Sequence, residues 1–144
     1  MTPFELSNLV VLPFWALMIL APTWSFTRRI VGSPWIVAPP ALIYLVVLLP
    51  VAAMVLPAVA NPVPAEIASM LGTPTGTALA WAHFVAFDLF VGRWIHIDSR
   101  NRRYSPWWVS PTLLLTLLVG PVGLLTYLLV RTVIGGANAA VDPA

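Results

Sequence analysis

The chain has 144 residues, 60% of them apolar and only 8% charged, where an ordinary soluble domain carries charge on about a quarter of its residues. That excludes a water-soluble globule. Seven arginines, no lysine and five acidic residues leave a net charge of +2, and arginines scattered through so apolar a chain do not suggest a nucleic-acid face. The absence of cysteine excludes disulfide frameworks, thiolate catalysis, zinc fingers and iron–sulfur ligation, and the length allows one domain.

About 20 consecutive apolar residues cross the roughly 30 Å hydrocarbon layer as a helix, and four stretches have that length. The first, about 6–24, stops at Arg28-Arg29. A cleaved leader would carry a basic residue ahead of its apolar run, and here Glu5 stands in that place, so this stretch is expected to be a real helix. The second, about 35–59, contains Pro39-Pro40, suited to a helix start, and Pro50, which removes a backbone donor and should bend the middle. A Pro-, Gly- and Thr-rich loop follows from Asn61 to Pro74, with one short helix expected around Glu66 to Leu71. The third, about 77–98, carries charges, and the fourth, about 107–130, carries none between Arg103 and Arg131. The expectation is an all-α, polytopic membrane protein: a four-transmembrane-helix bundle over 1–134, embedded in a lipid bilayer, with both termini on the same side and a flexible tail over 135–144.

Arginines punctuate the loops unevenly. Arg28 and Arg29 follow the first span, Arg100, Arg102 and Arg103 follow the third, and none lies between the second and third. The positive-inside rule then places loops 25–34 and 99–106 on the cytoplasmic side and the termini opposite, with Arg131 alone voting against. Trp24, Trp35, Trp107 and Trp108 stand at span ends, where amphipathic rings favour the headgroup layer. An Arg-only, Ala- and Pro-rich composition suggests a bacterial source and hence an inner membrane.

The third span holds the chemistry. It reads Trp81-Ala-His83-Phe-Val-Ala-Phe87-Asp88-Leu-Phe90-Val-Gly92-Arg93-Trp94-Ile-His96-Ile-Asp98. A charged residue at mid-membrane depth costs about 2.5 to 3.5 kcal/mol on insertion scales, and such residues normally face the bundle interior and mark function. His83, Asp88 and Arg93 are therefore the candidate catalytic residues, expected to face protein or bound molecule rather than acyl chains. Steps of five residues each turn about 140° and rise about 7.5 Å, so the three do not form a stripe, and Asp88 and Arg93 should reach different neighbours. One face carries His83, Phe87, Phe90 and Trp94, an aromatic wall beside an imidazole. Another carries Trp81, Asp88 and Gly92, where the missing side chain would admit a partner helix or a substrate. His96 and Asp98 are expected at the interface, Asp98 also as a binding candidate. Glu5 and Asn8 in the first span and Tyr127 in the fourth are further binding candidates, as groups able to meet Arg93 or His83. Thr116-xxx-Gly120 is a small-residue contact pattern, and Pro121 frees a carbonyl inside the bundle. Steps of five do not suit two metal ligands sharing one ion on a helix, and phosphate loops and nucleophile elbows are missing, so no metal or nucleotide is expected.

Trp81-Ala-His83, Asp88-Leu-Phe90, Arg93 and Asp98, with Leu12-Pro-Phe-Trp-Ala-Leu-Met18 in the first span and Gly120-Pro-Val-Gly123 in the fourth, resemble the ABA-deficient-type (abscisic-acid-deficient, neoxanthin-synthase-like) membrane family from about Phe4 to Arg131. In plants that family is tied to neoxanthin formation from violaxanthin. The resemblance implies a carotenoid or related isoprenoid ligand and an isomerase that opens an epoxide to an allenic alcohol, a net isomerisation that needs no redox cofactor. Burial favours the neutral form of a carboxyl, so Asp88 is the expected acid and His83 the base, or the reverse, with Arg93 steadying oxyanion charge. A long polyene would lie along the aromatic face, and four helices cannot enclose it, so a homo-oligomer or a lipid-open groove is expected. A non-catalytic carotenoid-binding or assembly subunit and a small proton or solute transporter are the competing readings.

Overall fold

The computed structural model describes the chain through residue 141, with side chains through residue 133. The described residues form helices joined by short turns and contain no strand. In order they form α1 (Pro3–Leu20), α2 (Ser25–Gly32), α3 (Ala38–Leu48), α4 (Ala52–Ala60), α5 (Pro64–Leu71), α6 (Pro74–Asn101), α7 (Pro106–Leu118) and α8 (Gly120–Val141). Three stretches are long and apolar enough to cross a membrane: Pro3–Leu20, Pro34–Ala60 and Pro74–Asn101. The tail expected over 135–144 falls where no side chain is described, and residues 142–144 lie outside the described residues.

Prolines and caps set the boundaries. Thr2 and Glu5 form a reciprocal capping box at the start of α1. Pro34–Val37 is one turn of tighter 3₁₀ helix ahead of α3, and Pro50 leaves another at Leu49–Val51 between α3 and α4, where the sequence suggests a bend. The short helix around Glu66 is α5. Helix α6 begins at an N-cap, Thr73, whose hydroxyl accepts from the Gly76 amide at 3.0 Å, with Pro74 in the first position. It ends in a Schellman turn: the Tyr104 amide donates to the Ser99 carbonyl and the Arg103 amide to that of Arg100, with Arg103 at φ 58°.

Helix α6 is the axis. Ten of its residues are buried, against four in α1 and two in α3. Helix α1 runs parallel to it: the Trp81 indole donates to the Asn8 side-chain oxygen, and further along Trp15, 1% exposed, packs over Gly92. A side chain on Gly92 would occupy the space of the Trp15 ring. Helix α3 runs the other way, with Tyr44 beside His83 and Val47 packed with Leu79. Trp15, Met18, Leu89, Ile95, Leu113 and Tyr127, from α1, α6, α7 and α8, share the main core.

The last third of the chain departs from the expected straight span over 107–130. Helix α7 is 13 residues long, about 20 Å at 1.5 Å per residue and too short to cross. The chain breaks at Val119 (φ −145°, ψ 68°) and returns as α8. Two features produce the reversal: Gly120-Pro121 cannot continue the α7 ladder, and Gly123 has no side chain, so its backbone comes against Thr116 across the turn. The return carries Arg131 back to the start of α7, where its carbonyl accepts from the Tyr104 hydroxyl at 3.3 Å. Phe4, beside Trp81, and Arg131, beside Asp98, therefore lie at opposite ends of the bundle.

Two predictions follow from the packing. Gly92→Val should destabilise the protein by about 1–3 kcal/mol through overpacking against Trp15, while Gly32→Ala, with open space around it, should be neutral or slightly stabilising; thermal unfolding of the detergent-solubilised chain compares them. Arg103→Gly should stabilise by about 0.5–1 kcal/mol, because glycine adopts the left-handed turn without steric cost; an unchanged or lower melting temperature would contradict it.

Candidate functional site

Helix α6 presents its polar residues to different neighbours, as steps of 100° per residue require. At its first end, the Trp81 indole meets Asn8 at 3.0 Å and the Phe4 ring at 5.2 Å. Asn8 also donates to the Phe4 carbonyl, and the Glu5 carboxylate accepts from the Thr2 amide at 2.8 Å. Glu5 thus caps its own helix and does not reach Arg93 or His83, contrary to its expected place in the site.

In the middle, Asp88 is half-buried and lies against Gly120, at the α7–α8 reversal, where a methyl group would collide with the carboxylate. Gly120 therefore supplies the close approach to Asp88 that the sequence suggests for Gly92. Among the described residues no side chain or backbone group hydrogen-bonds to Asp88. His83 is exposed: its ring stacks on Phe87 at 4.6 Å, with Tyr44 at 5.7 Å and Phe84 at 6.2 Å. Of the three central ionisable residues, His83 is thus the one that turns away from the rest of the described chain. The aromatic wall is real but outward, with Phe84 55%, Phe87 60% and Phe90 52% exposed, and Asp88 sits at its edge, about 40° around the helix from Phe84.

Arg93 points elsewhere. Its Nε donates to the carbonyls of Val31 at 2.9 Å and Ser33 at 3.2 Å, and its Nη2 to that of Gly32 at 2.7 Å. These are the carbonyls that the end of α2 leaves without intrahelical partners, and a guanidinium is suited to gather them. Arg93 is therefore a C-terminal cap for α2.

At the second end, Asp98 is a hub. Its Oδ2 accepts from the Tyr127 hydroxyl at 2.7 Å and from Arg102 Nε at 2.9 Å, with Arg131 Nε at 3.5 Å. The Trp94 ring meets Tyr127 edge-on at 5.7 Å and lies under the Arg131 guanidinium at 5.8 Å. The bond to Asp98 raises the Arg102 guanidinium above its usual pKa, its charged form being the one the carboxylate holds. Sequence reasoning misses most of this hub, although Asp98 and Arg102 stand four apart in the favoured acid-before-base order, and Tyr127 and Arg131 four apart on one face of α8. His96, close to the same end, is 3% exposed with both ring nitrogens unpartnered among the described residues.

Among the described residues no three His, Asp or Glu side chains cluster as a metal site. A groove of about 800 Å³ lies between α4 and α5, lined by Met54, Pro57, Glu66 and Met70, and includes neither Asp88 nor His83.

The residues that make these contacts, Trp15, Trp81, Asp88, Arg93, Asp98 and Gly120, are those on which the sequence resemblance rests, and a family model described as ABA DEFICIENT 4-like matches residues 2–127. The chain belongs to the ABA DEFICIENT 4-like family. A curated relative, Protein ABA DEFICIENT 4, chloroplastic, of Arabidopsis thaliana, is 26% identical over 137 residues, which cover 91% of this chain and 61% of the relative. The chain thus spans less than two thirds of that relative's length. No solved structure matches. Among the residues that carry the resemblance, Trp15, Arg93, Asp98 and Gly123 join helices, while among the described residues no hydrogen-bond partner meets the side chain of His83 or Asp88.

The hub gives a direct test. Tyr127→Phe should cost about 1–2 kcal/mol, as loss of a hydrogen bond to a charged group in an apolar setting. Combined with Asp98→Asn it should be clearly less than additive in a thermal double-mutant cycle; strict additivity would show that the pair is not coupled.

Proposed function

We propose that this protein is an integral membrane protein that binds a carotenoid or related isoprenoid along the aromatic face of α6 and isomerises it by acid–base chemistry at Asp88 and His83. One observation carries the reading. Asp88 has no hydrogen-bond partner among the described residues and sits where Gly120 crowds it from one side while the row of Phe84, Phe87 and Phe90 lies open on the other. A carboxyl kept in an apolar span without a structural partner is the mark of a group that meets a ligand.

The roles follow from position. A rigid polyene lies against Phe84, Phe87, Phe90 and Trp94 by dispersion and ring contact, and its oxygenated end ring is brought to the level between His83 and Asp88, which differ by about 7.5 Å along the axis. For an epoxide, the Asp88 carboxyl gives its proton to the ring oxygen as the C–O bond breaks. His83 takes a proton from the carbon whose C–H electrons become the new double bond of the allene. The formula is unchanged, and the proton returns from His83 to Asp88 to close the cycle. Arg93 contributes by holding α2 to α6. Family membership and the relative named for abscisic-acid deficiency support the substrate class. The open face, with no enclosing wall on the described chain, supports a ligand shared with the bilayer or with a second copy.

A second reading, a binding or assembly subunit without catalysis, draws support from the same openness and from the loss of Arg93 to a structural contact. Expression in cells that accumulate different carotenoids, followed by chromatography of the extracts, separates the two. The wild type should give a product of unchanged mass from an epoxy-carotenoid. Asp88→Asn should abolish it, and His83→Ala should reduce it by about 10²-fold or more, both variants still purifying with pigment. Extracts that match the empty vector for every substrate, from cells in which the purified protein is coloured, would replace the enzyme with the binding subunit; a colourless protein and unchanged extracts would remove both.

A further inference from the structure

The second end of the bundle holds a polar pocket outside the Asp88 face. Arg28, Gly32, His96, Ile97, Arg100 and Asn101 enclose about 160 Å³ between α2 and the last turns of α6. No acidic side chain lines it, and among the described residues neither Arg28 nor Arg100 makes a salt bridge; the ion pairs at this end belong to Arg102 and Arg131. His96 lines the pocket while 3% exposed, and neither ring nitrogen has a hydrogen-bond partner. A neutral imidazole carries one N–H donor, and a buried donor without an acceptor is costly. The carbonyls at the end of α2, whose dipole would repel an anion, are covered by Arg93.

We propose that this pocket binds a phosphate group, with Arg28 and Arg100 holding its charge, Asn101 donating at the rim and His96 donating from beneath. Arginine pairs oxygens of phosphate with its planar fork. The source the surroundings favour is an anionic phospholipid headgroup, because Trp24, Trp35, Trp107 and Trp108, 54%, 75%, 87% and 63% exposed, ring the same end at the level where indoles meet headgroups. Arg29 and Arg103 lie at that end outside the pocket.

Thermal unfolding of the full chain in detergent tests this, with phosphatidylglycerol, diacylglycerol of the same acyl chains, or inorganic phosphate added in turn. Phosphatidylglycerol should raise the midpoint and diacylglycerol should not. Arg28→Gln and Arg100→Gln should each raise the concentration needed by about five- to tenfold, and His96→Phe should weaken the response while keeping the ring's bulk. Arg29→Gln and Arg103→Gln, which remove the same charge elsewhere, should stay within about twofold of wild type. Arg28 is exposed, so its variant keeps the fold, which helical circular dichroism verifies. A response to inorganic phosphate equal to that of the lipid, and lost with Arg28→Gln, upholds the site and makes free phosphate its source. The proposal is overturned if diacylglycerol stabilises as well as phosphatidylglycerol, if neither phosphate compound stabilises, or if Arg29→Gln weakens the response as much as Arg28→Gln.

Discussion

The reversal of the chain at Val119–Gly120 is the constraint on which the rest depends. Because α7 stops after 13 residues and α8 returns beside it, Tyr127 and Arg131 come back to Asp98 instead of lying at the far end of a fourth span. The same turn drives Gly120 against Asp88, so one glycine both allows the reversal and shapes the surroundings of the central carboxylate. A straight helix over 107–130 would leave Asp98 without its tyrosine and place Arg131 with the opposite end.

That geometry also resolves the charge pattern. Read as four straight spans, the arginines disagree: Arg131 opposes the others. With the hairpin in place, Arg131 joins Arg102 at Asp98, Arg93 reaches the end of α2, and Arg28 and Arg100 share a pocket. The cationic residues gather at one end, while Glu5 caps the helix that starts at the other. Arginines that look scattered along the sequence thus converge in space, which is what makes an anionic partner at that end reasonable in physical terms.

Helix α6 unites scaffold and chemistry by dividing its circumference. Gly92, Ile95 and Ser99 face the core, Arg93 faces α2, Asp98 faces α8, and His83, Phe84, Phe87 and Phe90 face outward. Asp88 stands on the boundary between the packed arc and the open one. Two glycine contacts are packing: Trp15 needs the bare backbone of Gly92, and Thr116, across the α7–α8 turn, that of Gly123. Among the described residues, the side chains of His83 and Asp88 have no hydrogen-bond partner, a difference from Arg93, Glu5 and Asp98 that residue type alone could not show.

What the sequence by itself determined is local. Charge-free runs, prolines at 34, 50, 64, 74 and 106 and the Thr73 cap mark the helices, their breaks and the one helix burdened with ionisable groups, because hydropathy, capping and the missing proline donor act within a few residues. What only the tertiary structure decided is who meets whom: Asp98 with Tyr127 across 29 positions, Arg93 with Gly32 across 61, Trp81 with Asn8 across 73, and His83 on the outside. A one-residue break can send a helix onward or back on itself with nearly the same local signals, and the choice is made by contacts between residues far apart in the chain, such as the Gly123 backbone against Thr116 and the Asp98 cluster, which no window along the sequence contains.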